Sequence, residues 1–387
     1  MSEETLSAFY TAKNKNYHSR TDILKFLLVP LVFFMRLGIP GKYGQYISTY
    51  SNFVPQVFFI LFGFFTLVPD DLQRQKKLKR SLRRSFKFFA LMFFCFLVLN
   101  IIYLAYYHST PYLLSEHIWR KRTFFDFLVL SVWPLPFGKS IWFVQSLSFA
   151  YLFFWLAERF RLQKWYLPIG IILALFALAT GEFAAFFGFP YFGYLYIPGG
   201  TLTRAIPYML IGMYLHKHVD TLAKLPRVIY LLLFPVGLLA AILEIEALGR
   251  SGKLIYMGHT IGFGIMALSL CCFAIAKPEE KINFLSKHGN NFSKRMYAFC
   301  QPVSFATWLL TTFFSPSLAG FIRNYSCFIS LMICSIISLL IFLIKRKWYN
   351  GKKTDFFRKL RRKIRKKRFK RMRKKYQKKY QKKNLDK

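Results

Sequence analysis

Ionisable residues lie inside or at the ends of several long apolar segments, where such side chains are energetically costly and mark candidate functional sites. They include Arg36, Glu182, Arg204, Glu244, Glu246 and His259. A histidine, or a carboxyl group whose pKa is raised by burial, can act as a general acid or base near neutral pH. An arginine stays protonated, so Arg36 can bind an anion or stabilise an oxyanion but cannot accept a proton.

The same residues also have structural explanations. Glutamate and arginine side chains at a helix junction can neutralise each other, and a lone histidine such as His259 can be a hydrogen-bonded core residue. Both explanations stay open at this point. If the protein is an enzyme, the candidate catalytic residues are Arg36, Glu182 and His259.

The elements that must position these residues are helices that cross a membrane. The chain has 387 residues and is 55% apolar, yet its net charge is +41. A soluble protein this basic would be a nucleic-acid binder, but here the cations fall between long apolar blocks of the length that crosses a bilayer. We predict an all-α polytopic membrane protein with about ten transmembrane helices. The spans are expected near residues 23–39, 52–69, 87–108, 141–157, 165–181, 203–216, 228–246, 255–276, 297–315 and 326–344.

The distribution of lysine and arginine predicts the orientation. If the N-terminus is cytoplasmic and the spans alternate, 47 of the 57 Lys and Arg residues fall in cytoplasmic segments. Because cytoplasmic loops of membrane proteins carry an excess of Lys and Arg, both termini are expected in the cytoplasm and the protein in the inner (plasma) membrane. The predicted organisation is a cytoplasmic segment at 1–22, a transmembrane domain at 23–344 and a basic cytoplasmic tail at 345–387.

The tail carries 24 Lys and Arg residues against Asp355 and Asp386. Each cation near an anionic membrane surface contributes about 1 kcal/mol of attraction, so the expected partner is the headgroups of anionic lipids. A nucleic acid, a ribosome or an acidic protein are alternatives. The membrane tether limits access to nucleic acid, which makes it the less favoured partner.

No metal site is predicted. The six cysteines form no C-x-x-C pair, and the sequence has no H-E-x-x-H motif and no phosphate-binding G-x-x-x-x-G-K motif. The cysteines are therefore predicted to be small apolar residues within helices.

Five segments between residues 20 and 300 carry a further pattern. In chain order they are Arg20-Thr-Asp22-Ile-Leu-Lys25, Asn52-Phe-Val-Pro55-Gln-Val-Phe58-Phe59-Ile-Leu-Phe-Gly63, Ser140-Ile-Trp142-Phe143, Thr203-Arg204-Ala-Ile-Pro-Tyr208-Met-Leu-Ile-Gly212-Met213-Tyr214-Leu, and Leu285-Ser-Lys-His-Gly289-Asn-Asn-Phe-Ser293-Lys-Arg-Met-Tyr297. Together they resemble the acyltransferase 3 family of membrane-bound sugar O-acyltransferases. Where that family has a histidine in the first span, this sequence has Arg36, and a late-helix histidine is replaced by Gln301.

The resemblance implies about ten helices that move an acyl group, usually acetyl, from acetyl-CoA to sugar hydroxyls of surface polysaccharides or lipid-linked sugars. On this basis Lys25 and the cations of 70–87 would serve the CoA thioester, whereas Arg36, Arg204 and His259 would serve the acceptor. The substrate-binding residues that follow from the resemblance are Lys25, Trp142, Arg204, Tyr208 and Gln301. No metal is expected beside acetyl-CoA.

Two other functions remain open. A relative without the family's histidine can keep the fold and serve as a binding or assembly component of an envelope-polysaccharide machine. Charged groups inside the membrane can also line the substrate path of a transporter or polymerase of glycan precursors.

Overall fold

The computed structural model describes residues 3–66, 71–107, 141–180, 183, 200–250, 260–276, 284–311 and 314–350. Every regular element among these residues is helical. In chain order the helices are α1 (Glu3–Leu37), α2 (Lys42–Tyr50), α3 (Val54–Thr66), α4 (Asp71–Tyr107), α5 (Trp142–Arg159), α6 (Tyr166–Thr180), α7 (Ile206–Lys217), α8 (Val219–Leu222), α9 (Arg227–Arg250), α10 (Ile261–Ile275), α11 (Phe284–Leu310), α12 (Pro316–Asn324) and α13 (Ser326–Asn350). Short 3-10 segments occupy Ser51–Phe53 and Gln163–Trp165, and a π-helical turn, Thr201–Ala205, precedes α7.

For the described residues, the prediction of a helical chain with helices long and apolar enough to cross a membrane is confirmed. Three helical stretches are long and apolar enough to cross a membrane, namely Lys42–Thr66, Arg227–Arg250 and Ser326–Ile344. Two shorter apolar helices lie at Gln163–Ala179 and Ile261–Ile275. A helix overlaps each of the ten predicted spans, while the count of ten spans and the location of the termini remain predictions.

Three helices begin more than ten residues before the predicted spans that they overlap. α1 begins at Glu3, α4 at Asp71 and α11 at Phe284, so segments that were predicted to lie outside the spans are helical. The added part of α4 is rich in Lys, Arg, Gln and Leu, which are good helix formers because they lose little rotamer freedom in a helix. Hydropathy marks only the apolar part of such a helix.

An apolar face of α9 is open to the surroundings. Five of its side chains, three or four residues apart, are each at least 56% exposed: Val228, Leu232, Val236, Leu239 and Leu243. The opposite side carries Gly237 and Ala241, and it packs closely on Gly262 of α10. An apolar stripe of this size is expected to face lipid rather than water.

Glycines bring the central helices α3 and α7 into close contact. A Cβ atom added at Gly63 would overlap the carbonyl oxygen of Met209, and one added at Gly212 would overlap that of Ile60. Small residues at such crossings let helix backbones approach, which is how helices associate within a membrane. The crossing fixes α3, which forms one wall of the site described below.

A buried carboxylate fixes the start of α4 to the end of α5. The Glu158 side chain is 2% exposed, and Arg74 Nε lies 2.9 Å from its Oε1 atom. Gln163 Nε2 donates to Glu158 Oε2 at 2.8 Å, and the Tyr166 hydroxyl donates to Oε1 at 3.1 Å. Removing one partner of a buried ion pair leaves an uncompensated charge, so these contacts hold α4 in register.

The chain divides into two compact units, Met1–Cys334 and Ser335–Lys387. The helices α1 to α12 belong to the first unit, which contains the candidate site. The described part of the second unit is helical up to Asn350.

Candidate functional site

A cavity of about 420 Å³ lies between α1, α3, α4, α5 and α11. Its volume is within the range of small-molecule sites, and most of its wall is apolar. Its charged and larger polar side chains include Lys25, Arg36, Arg84, Trp142, Lys294 and Tyr297.

The cavity follows one face of α1. Lys25, Val29, Val32 and Arg36 all line it, at intervals of four, three and four residues. Eleven residues are close to three helical turns, so the two cations share a face and are separated by a rise of about 16 Å. The chamber is therefore elongated, with Lys25 toward one end and Arg36 toward the other.

Cations from three helices meet at the Lys25 end. Arg84 of α4 and Lys294 of α11 line the cavity together with Lys25, whose Nζ atom lies 3.0 Å from Asp22 Oδ1. Partial removal from water, and then the charges of Lys25 and Arg84, lower the pKa of Lys294, while Asp22 opposes the shift. An anion bound among the three cations would relieve this repulsion.

Serine hydroxyls at the same end are engaged with their own helices. Ser85 donates to the carbonyl oxygen of Leu82 at 2.9 Å, and Ser293 donates to that of Gly289 at 2.7 Å. Their hydrogens are therefore used by the backbone. The charged donors for an anion at this end are the three cationic side chains.

An arginine–tyrosine pair forms the other end. Arg36 Nη2 donates to the Tyr297 hydroxyl oxygen at 2.8 Å, and the guanidinium carbon lies 4.6 Å from the centroid of the tyrosine ring. The Cys300 thiol also lies beside Arg36. The Tyr297 ring packs on Phe143 with a centroid distance of 5.7 Å, which fixes it on the cavity wall.

A second arginine, Arg204, packs against the ring of Trp142 in the cavity wall. Arg204 is 1% exposed, and its guanidinium carbon lies 5.4 Å from the centroid of the Trp142 ring. It belongs to the π-helical turn Thr201–Ala205, a type of local distortion that is frequent at functional sites. Trp142 lines the cavity, whereas Arg204 does not. Arg204 therefore orients the indole.

The structure brings together some of the predicted site residues and separates others. Lys25, Arg36 and Trp142 share the cavity, but Tyr208 does not line it, and its hydroxyl faces Gly264. Gln301 lies on α11, and its side chain is outside the described part of the chain. His259 and Glu182 also lie outside the described residues. The proton-transfer roles assigned to them stay predictions.

Two other glutamates near the membrane have structural roles. Glu244 Oε2 accepts a hydrogen bond from the backbone N–H of Gly262 at 3.4 Å, at the first turn of α10. Glu246 Oε2 lies 2.8 Å from Arg250 Nη2. These contacts agree with the explanation in which carboxylates neutralise a helix end or a nearby cation.

Lys294 and Tyr297 were not singled out as site residues from the sequence. Their spacing of three residues places them on one face of α11, but it does not show that this face contacts α1. Arg84 was covered only as one of eight cations in 70–87.

No protein-family model matches the chain, and neither do the curated proteins or the solved structures with which it was compared. Among the described residues, no group of three or more His, Cys, Asp or Glu side chains could hold a metal ion. The properties of the cavity therefore carry the functional argument. An elongated apolar chamber with cations at both ends suits an anionic amphiphile.

Proposed function

We propose that this protein is a membrane acyltransferase. It transfers an acetyl group from acetyl-CoA to a hydroxyl of a surface polysaccharide or a lipid-linked sugar. In this proposal ten spans cross the plasma membrane, both termini are cytoplasmic, and the Lys25 end of the cavity opens toward the cytoplasm, where acyl-CoA is found.

The observation that carries the proposal is the spacing along α1 of Lys25 and Arg36, which both line the cavity. The arm that joins the diphosphate of CoA to its sulfur has about twelve bonds, equal to four extended peptide residues, and so spans at most about 14 Å. The thioester carbonyl extends it by about another 2 Å. The rise from Lys25 to Arg36 along the axis of α1 is about 16 Å, which is close to that length.

The chemistry of the wall supports the same ligand. Lys25, Arg84 and Lys294 can bind the phosphates as charge-assisted hydrogen-bond donors. The apolar wall between the ends suits the gem-dimethyl and methylene groups of the arm. The thioester then reaches Arg36, whose fixed positive charge favours the oxyanion that develops during acyl transfer. In this proposal His259 or Glu182 supplies the general base.

A specific observation favours a second candidate function. Among the described residues that line the cavity there is no His, Asp or Glu. A protein that binds acyl-CoA or a related anionic amphiphile without transferring the acyl group, as a binding or assembly component, would have such a wall.

Surface-glycan chemistry distinguishes the two functions. Deleting the gene is expected to remove base-labile acetate from the surface polysaccharide, measured as acetate released by mild alkali. The wild-type protein should restore it, and Arg36→Ala should not, at equal protein levels in the membrane. Acetate that is unchanged by the deletion would rule out the acyltransferase and leave the binding component.

A further inference from the structure

We propose that Tyr297 is a catalytic residue whose hydroxyl donates a hydrogen bond to the thioester carbonyl oxygen, and that Arg36 positions and polarises it. This inference rests on the proposed function and assigns the group that acts on the reacting carbonyl.

The hydrogen-bond direction between the two residues is fixed by chemistry. A guanidinium has donors and no acceptor, so in the 2.8 Å contact Arg36 donates and the phenol oxygen accepts. A hydroxyl that accepts from a cation becomes a stronger donor, because hydrogen bonds in a chain polarise one another. Arg36 therefore makes Tyr297 a better donor of its own O–H.

The pair is also held rigidly on the cavity wall. The guanidinium carbon of Arg36 lies 4.6 Å from the ring centroid of Tyr297, and Phe143 supports the ring on another side. Both residues line the chamber. A preorganised donor in a site lined by apolar groups stabilises developing charge far more than it would in water.

Other donors at this end are few. Backbone N–H groups inside the helices are used in the helix ladders, among the described helices the first turn of α5 alone leaves N–H groups at this end without an intrahelical acceptor, and Ser85 and Ser293 lie at the Lys25 end. Of the described side chains that line the cavity beside Arg36, Tyr297 and Trp142 carry polar hydrogens. The length of the CoA arm brings the carbonyl to this level of α1.

The reaction balances without a further reagent. The acceptor hydroxyl oxygen attacks the thioester carbonyl carbon, and the carbonyl oxygen becomes an oxyanion that Tyr297 stabilises. The C–S bond then breaks, its electron pair leaves with the sulfur, and the acceptor's proton ends on the CoA thiol. Tyr297 keeps its proton throughout.

Tyr297→Phe removes the donor and keeps the ring that packs on Arg36 and Phe143. Removing one oxyanion donor lowers turnover by about 100-fold or more, so acetate incorporation should fall by that factor in cells with equal protein levels. Binding of acetyl-CoA to the purified full chain should change by less than about twofold, because the donor acts mainly in the transition state. Tyr325→Phe is the matched control, because Tyr325 is 43% exposed and does not line the cavity, and it should leave both measurements unchanged.

Three outcomes would overturn the inference. Wild-type acetylation with Tyr297→Phe would exclude a catalytic role. Equal losses of acetyl-CoA affinity and acetate incorporation would make Tyr297 a binding residue. If the loss of acetate incorporation in Tyr297→Phe grows with pH, Tyr297 would act as a phenolate base rather than as a hydroxyl donor. Removing a hydrogen-bond donor lowers the rate by the same factor at every pH. If the wild-type chain binds no acetyl-CoA and restores no acetate, the proposed function itself fails.

Arg36→Lys provides a second variant. It keeps the charge but loses the planar group that stacks on the ring, so an intermediate loss of acetate incorporation with wild-type acetyl-CoA affinity is expected. A loss equal to that of Arg36→Ala would show that charge beside Tyr297 is insufficient and that the stacked geometry is required. Full activity of Arg36→Lys would contradict the positioning role.

Discussion

Reversing two charges at the Lys25 end of the cavity, with Arg84→Glu and Lys294→Glu, is expected to weaken acetyl-CoA binding by about 100-fold or more. A hydrogen bond to a charged group contributes about 1.5–3 kcal/mol, so losing two costs at least about 3 kcal/mol, which is more than a hundredfold in Kd. Repulsion between the new carboxylates and the phosphates adds to the loss. Equilibrium binding of acetyl-CoA to the full chain in lipid nanodiscs measures it.

The matched control reverses two charges on α4 that do not line the cavity. Arg80→Glu with Arg83→Glu changes the net charge by the same amount, and both residues are exposed on the same helix as Arg84. It should alter affinity by less than about threefold, since exposed charges that do not contact the ligand are screened by salt. Equal losses in the two double variants would mean that bulk charge attracts acetyl-CoA and that the cavity does not bind its phosphates.

Replacing Gly212 by leucine is expected to prevent the chain from folding. Even a Cβ atom at this position would overlap the carbonyl oxygen of Ile60, so α3 and α7 would have to separate and the packing of the central helices would be lost. Overpacking and backbone displacement of this kind are among the few mechanisms that cost more than about 4 kcal/mol. The yield of monodisperse protein in detergent, and its thermal midpoint, measure the effect.

Gly320 provides the control for that substitution. It lies in α12, and nothing lies within 4 Å of a Cβ atom added there. Gly320→Ala should leave the yield unchanged or raise stability by about 0.5–1 kcal/mol, because alanine restricts the unfolded chain. A normal yield of Gly212→Leu would contradict the close helix crossing and the position of the α3 wall.

The sequence predicted the helices better than it predicted their ends. Apolar blocks of membrane length locate the α9 and α13 helices, because desolvation of the backbone dominates in such segments. Hydropathy also places the start of the third predicted span at residue 87, whereas the corresponding helix, α4, begins at Asp71. Helix propensity of the basic residues and the Glu158–Arg74 ion pair extend it, and neither contributes to hydropathy.

Part of the candidate site could be predicted from the sequence, because two of its residues lie on the same helix. Lys25 and Arg36 are eleven residues apart, so helix geometry alone places them on one face. Tyr297 reaches Arg36 only because α1 and α11 pack together across 261 residues of sequence. Spacing along a single chain carries no information about such a contact. Lys294 was missed for the same reason.

Photo-crosslinking with an acyl-CoA analogue tests the central claim most directly, because it reports where the acyl group lies. The analogue carries a diazirine on a short acyl chain, and labelled peptides are located by mass spectrometry. We predict labelling of the end of α1 around Met35 and Arg36 and of α11 around Tyr297, suppressed by excess acetyl-CoA and absent in the Arg84→Glu, Lys294→Glu double variant. Labelling that falls elsewhere, or that acetyl-CoA does not suppress, would contradict a cavity that holds acyl-CoA with its thioester beside Arg36.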